Sequence, residues 1–81
     1  MNAGQLIIFL EEIKKRLEHI ERDADEVVTT LRLLEDITTD NFTRVLINTI
    51  KRFFSNFGFN IYQIIIDINT LKDAVKEEES E

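Results

Sequence analysis

From Leu6 to Leu34 apolar residues return at alternating steps of four and three: Leu6, Leu10, Ile13, Leu17, Ile20, Ala24, Val27, Leu31 and Leu34. This spacing keeps one stripe of an α-helix turned towards a partner helix, turn after turn. A helix over residues 5–37 is about 50 Å long at a rise of ~1.5 Å per residue. Only an element of similar length can cover such a stripe, and the rest of the chain has the length to supply it.

The chain has few places to turn. It contains no proline and two glycines, Gly4 and Gly58, which favours long helices over a sheet. The break comes at Thr38-Thr39-Asp40-Asn41, where poor helix formers that make good N-caps stand together without apolar periodicity. The turn is therefore expected at 38–40, with Thr39 or Asp40 capping the next helix and Asn2 a weaker cap for the first. So short a connection makes the flanking helices antiparallel neighbours.

Beyond the turn, Phe42, Leu46, Ile47, Ile50, Phe53, Phe54, Phe57, Ile61, Ile64, Ile65, Ile68, Leu71 and Val75 fall in one arc about 140° wide on a helical projection. The arc keeps its phase through Gly58, apart from a stutter at Phe53, Phe57 and Ile61. A second helix is expected over about 41–76, followed by an acidic tail, 77–81, whose glutamates oppose the helix macrodipole. Two alternatives compete. Gly58 could end a helix and give a three-helix bundle, and Asn60 to Ile68 has the β-propensity of a strand. The unbroken phase argues against the first, and the consecutive Ile64, Ile65 and Ile66 argue against the second.

A level hairpin turning at Thr39 pairs Leu10 with Ile68, Leu17 with Ile61, and Leu31 with Leu46 and Ile47. It sets Ala24 opposite Phe53 and Phe54, and Asp25 and Glu26 beside Lys51 and Arg52. A single all-α domain over residues 1–81 follows. Near that size one core gives only marginal stability, and no cysteine is present to crosslink it. The stripe of the second helix is also wider than one partner helix needs. Two hairpins are therefore expected to form a homodimeric four-helix bundle. Its core and oligomer contacts would come from Leu10, Leu17, Ala24, Leu31, Leu46, Ile50, Phe53, Phe54, Phe57, Ile61 and Ile68.

Catalytic constellations are missing from the sequence. His19, the one histidine, has Arg16 three positions before it where a Glu-x-x-His metal motif needs an acid. With no cysteine, two serines and no glycine-rich phosphate loop, neither an enzyme, a cofactor nor a metal site is expected. The net charge of −6 argues against nucleic acid, whose affinity comes mainly from lysine and arginine. A runner-up reading as a nucleic-acid-binding regulator would use Lys14, Lys15, Arg16, Arg22, Arg44, Lys51 and Arg52. The apolar run Leu6 to Leu10 is far too short to span a bilayer, so a cytoplasmic protein is expected.

The leading expectation is a non-catalytic interaction or assembly module, self-associating through helix packing and also open to a heterologous protein. Phe59, Tyr62 and Ile66 fall on the back of the second helix at spacings of three and four. They form a candidate docking strip, to which Ile8 or Phe9 of the first helix would add.

Overall fold

The computed structural model describes residues 2–80, with side chains through Glu78. Helix α1 spans Ala3–Ile37 and helix α2 spans Asn41–Ser80, with no other element among the described residues. They pack side by side as an antiparallel hairpin, a rod of 62 × 15 × 14 Å.

Local chemistry fixes the helix ends. At the start of α1 the Asn2 side chain accepts from the Gln5 amide at 2.8 Å, and the Gln5 side chain accepts from the Asn2 amide at 3.2 Å. This reciprocal capping box satisfies amides that have no partner within the helix. At the other end Thr38 turns to an extended backbone, while its hydroxyl donates to the Leu34 carbonyl at 2.6 Å. Asp40 then caps α2. Its carboxylate accepts from the Thr43 hydroxyl at 2.7 Å and the Thr43 amide at 2.8 Å.

Gly58 does not interrupt α2, and no described residue has a positive φ. The three-helix and strand alternatives therefore fall away. The helix also continues past position 76 to Ser80, since glutamate is itself a good helix former. Glu81, the last residue of the expected tail, lies outside the described residues.

Each helix packs chiefly one seven-residue row against the other. On α1 the row is Ala3, Leu10, Leu17, Ala24 and Leu31, and on α2 it is Ile47, Phe54, Ile61, Ile68 and Val75. Every member is buried or half-buried. Val28 and Ile65, one position round from these rows, are buried as well.

The level register expected from the sequence is corrected by about one helical turn. Ala24 lies against Gly58, not Phe53 and Phe54; a Cβ built on Gly58 would stand 3.9 Å from the Ala24 Cβ. Lys51 reaches Glu35 at 3.1 Å, not Asp25 or Glu26, and Lys72 pairs with Glu11. The three-residue connection starts α2 beyond the end of α1, so partners sit further along α2 than a level turn allows. Phe53, expected in the core, is 67% exposed and meets Phe54 edge-on, with ring centroids 5.8 Å apart.

Two predictions follow from these contacts. Gly58→Ala should raise stability by about 0.5–1 kcal/mol, since it removes the helix-interior glycine penalty and the new methyl meets Ala24 at ordinary contact distance. Thermal denaturation followed by circular dichroism should show Tm rising by several degrees. The Thr43 hydroxyl, and after it the Thr43 amide, hold the Asp40 carboxyl below its ordinary value. Its contribution is thus present above the ordinary carboxylate range near pH ~4 and lost as pH falls through the lower folded value. Asp40→Ala should lower Tm at neutral pH, and the difference from wild type should shrink in strong acid.

Candidate interaction surface

The four-and-three spacing of α1 consists of two heptad rows, and only one of them meets α2. The other is Leu6, Ile13, Ile20, Val27 and Leu34. On α2 the corresponding unused row is Ile50, Phe57, Ile64 and Leu71. Val27 is half-buried, and each of the other eight is 38–50% exposed. Such even, partial exposure marks the floor of one long open groove.

Both rows lie on the same side of the rod, as the opposite flank shows. That flank carries the α1 row Ile7, Lys14, Glu21, Val28 and Glu35 and the α2 row Arg44, Lys51, Gly58, Ile65 and Lys72, with the Glu35–Lys51 pair closing it. A helix cannot present its charged flank to this side and its unused apolar row to the same side. The hairpin therefore has one flank sealed by ion pairs and one nine-residue apolar face without a charge. Beside that face, Asp23, Glu26, Val27, Thr30 and Leu31 line a shallow recess of about 450 Å³.

The expected core and oligomer residues divide between these environments. Leu10, Ala24 and Ile61 are buried, and Leu17, Leu31, Phe54 and Ile68 are half-buried in the hairpin contact. Ile50 and Phe57 line the open face, while Leu46 and Phe53 stand exposed at its rim. Ile13, Ile20, Leu34, Ile64 and Leu71 belong to the apolar stripes read from the sequence but not to the expected core and oligomer set. A strict seven-residue count separates them from the row of Leu10, Leu17, Ala24 and Leu31 and from that of Ile47, Phe54, Ile61 and Ile68.

Phe59, Tyr62 and Ile66 are exposed on the charged-flank side of α2. Ile8 and Phe9 are exposed too. They lie near the level of Lys72, about 9 Å or more along the rod from Ile66 at ~1.5 Å per residue, and Phe9 borders the opposite flank. The cations of the runner-up reading are also dispersed. Lys14, Lys15, Arg16 and Arg22 point to several sides of α1, well over a helical turn from Arg44, Lys51 and Arg52. Lys14 and Arg16 already face Glu18 at 3.9 Å and Glu12 at 3.2 Å. Arg44 and Arg52 share a recess with Glu35, Asn41, Val45, Asn48 and Thr49.

Among the described residues no group of three or more histidines, cysteines or carboxylates could hold a metal ion, and His19 is exposed. No helix there is long and apolar enough to cross a membrane. No protein-family model, curated protein or solved structure matches this chain.

Because the strip on α2 takes no part in the hairpin contact, Tyr62→Ala combined with Ile66→Ala should leave helicity and Tm nearly unchanged by circular dichroism. Unfolding of the double variant would place these side chains in a core.

Proposed function

We propose that the protein is a non-catalytic assembly module that pairs with a second copy of itself through the apolar face, giving a four-helix bundle. The observation that carries this reading is the pair of unused heptad rows, Leu6 to Leu34 and Ile50 to Leu71. Heptad rows are complementary to other helices of the same period, and this chain has two such helices to offer.

Areas support the same reading. The hairpin exposes 6291 Å², whereas a compact monomer of this mass exposes about 5,000 Å². The excess is what each partner of an obligate dimer buries, on the order of 1,000 Å² or more. Among the described residues no side chain is fully buried within one hairpin, which supports association as a source of stability. The strip at Phe59, Tyr62 and Ile66 stays outside this contact and is free to take a different protein. The nucleic-acid reading has less support, because its cations are dispersed and several are matched by carboxylates. Absence of cysteine suits a reducing compartment such as the cytoplasm.

Sedimentation at micromolar concentration tests the pairing. The wild-type chain should run at twice its chain mass. Ile20→Asp with Ile64→Asp, which places four carboxylates in the shared face, should run at the single-chain mass with reduced helicity. A wild-type protein that is fully helical and single would overturn the reading.

A further inference from the structure

Resting on that self-association, we infer that the two hairpins pair head to head. Their turns lie at the same end, and a two-fold axis runs along the rod. Such an axis keeps every residue of the second copy at the height it has in the first, so heights in the single hairpin decide which residues meet. The Ala24–Gly58 contact sets the scale. Counting outward from it, Phe57 is level with Asp25, Phe53 with Thr29, and Asp67 with Lys15.

Three independent features fit this arrangement. The first is size. Across the shared face Ile13 meets Leu71, Ile20 meets Ile64, Val27 meets Phe57, and Leu34 meets Ile50. The smallest member of the α1 row thus lies opposite the largest member of the α2 row, as close packing demands. The second is shape. The recess lined by Asp23, Glu26, Val27, Thr30 and Leu31 is at the height of Phe53 and Phe57 of the second copy. Phe53, 67% exposed in its own hairpin, gains cover there.

The third is charge at the rims. The α1 rim of the face is Phe9, Arg16, Asp23, Thr30 and Ile37, and the α2 rim is Leu46, Phe53, Asn60, Asp67 and Ala74. Head to head, Arg16 meets Asp67, Asp23 meets Asn60, Ile37 meets Leu46, and Phe9 meets the small Ala74. Turned end for end with ends flush, Asp23 would meet Asp23 of the second copy and Asp67 would meet Phe53. That arrangement would bring like charges together and leave the recess facing Arg16 in place of an aromatic ring.

The chain has no cysteine, so a single Thr39→Cys in the exposed turn takes one nitroxide per copy. Pulsed dipolar spectroscopy should read roughly 25 Å or less, because helices in a bundle are spaced 8–10 Å. A distance near the 62 Å length of the rod would overturn the orientation. Sedimentation of the same labelled protein separates the two ideas. A dimer with the long distance sinks the head-to-head inference alone, and a folded single chain sinks the self-association it rests on. The register has its own check. Arg16→Cys with Asp67→Cys lie on opposite edges of one hairpin, so under oxidation they should join two copies into a covalent dimer. A short turn-to-turn distance without that crosslink would overturn the pairing of Arg16 with Asp67.

Discussion

Two helices in contact share a single groove, and that limit governs this molecule. Each helix carries two apolar heptad rows, but within one chain only one row of each can be covered. The rows that meet bury Leu10, Ala24, Ile47 and Ile61. The others stay open along most of the rod, with Ile20 and Ile64 near its middle. The charged flank cannot relieve this, since Glu35–Lys51 and Glu11–Lys72 hold polar residues there. Surplus apolar surface on one side is thus a direct result of two-row helices joined by a short turn.

Heptad repetition also creates a problem of uniqueness, because sliding one helix by seven residues sets apolar on apolar again. What distinguishes the observed register is the departures from the repeat. Ala24 and Gly58, small residues well inside their helices, meet each other, whereas a seven-residue slip would leave a gap at each. The Glu35–Lys51 and Glu11–Lys72 pairs would part in the same slip. Half-buried ion pairs add modest stability, but here they separate alternatives that burial alone leaves nearly equal. The three-residue connection removes the remaining freedom.

Much of the fold was legible in the sequence. The break at Thr38–Asp40, the antiparallel pairing and the continuity through Gly58 follow from period and capping chemistry that act within a few residues. The register was not legible. A level turn at Thr39 was the simplest assumption, and the height at which α2 starts depends on three backbone conformations that the residue types leave open. Phe53 failed for a different reason: α2 centres its contact on the row of Phe54, about 100° round the helix, which leaves Phe53 67% exposed. The open face was half legible. Leu6, Ile13 and Ile20 read as part of one seam with Leu10 and Leu17, because periodicity shows that a stripe exists but not how it is shared between two neighbours. That division depends on which side of α1 the chain returns along.

The capped turn has a consequence for how copies stay separate. If the residues 38–40 became helical, α1 and α2 would fuse into one rod about 115 Å long at a rise of roughly 1.5 Å per residue. Two such rods lying antiparallel would reproduce every contact of two hairpins, with each helix packed on its neighbour's partner. Domain exchange of that kind is a low-cost route between assemblies with the same contacts. Here the Asp40 carboxylate holds the Thr43 amide and hydroxyl, a cap that exists only where a helix begins, so straightening the turn breaks it. The carboxylate at the turn therefore favours the hairpin over the exchanged rod.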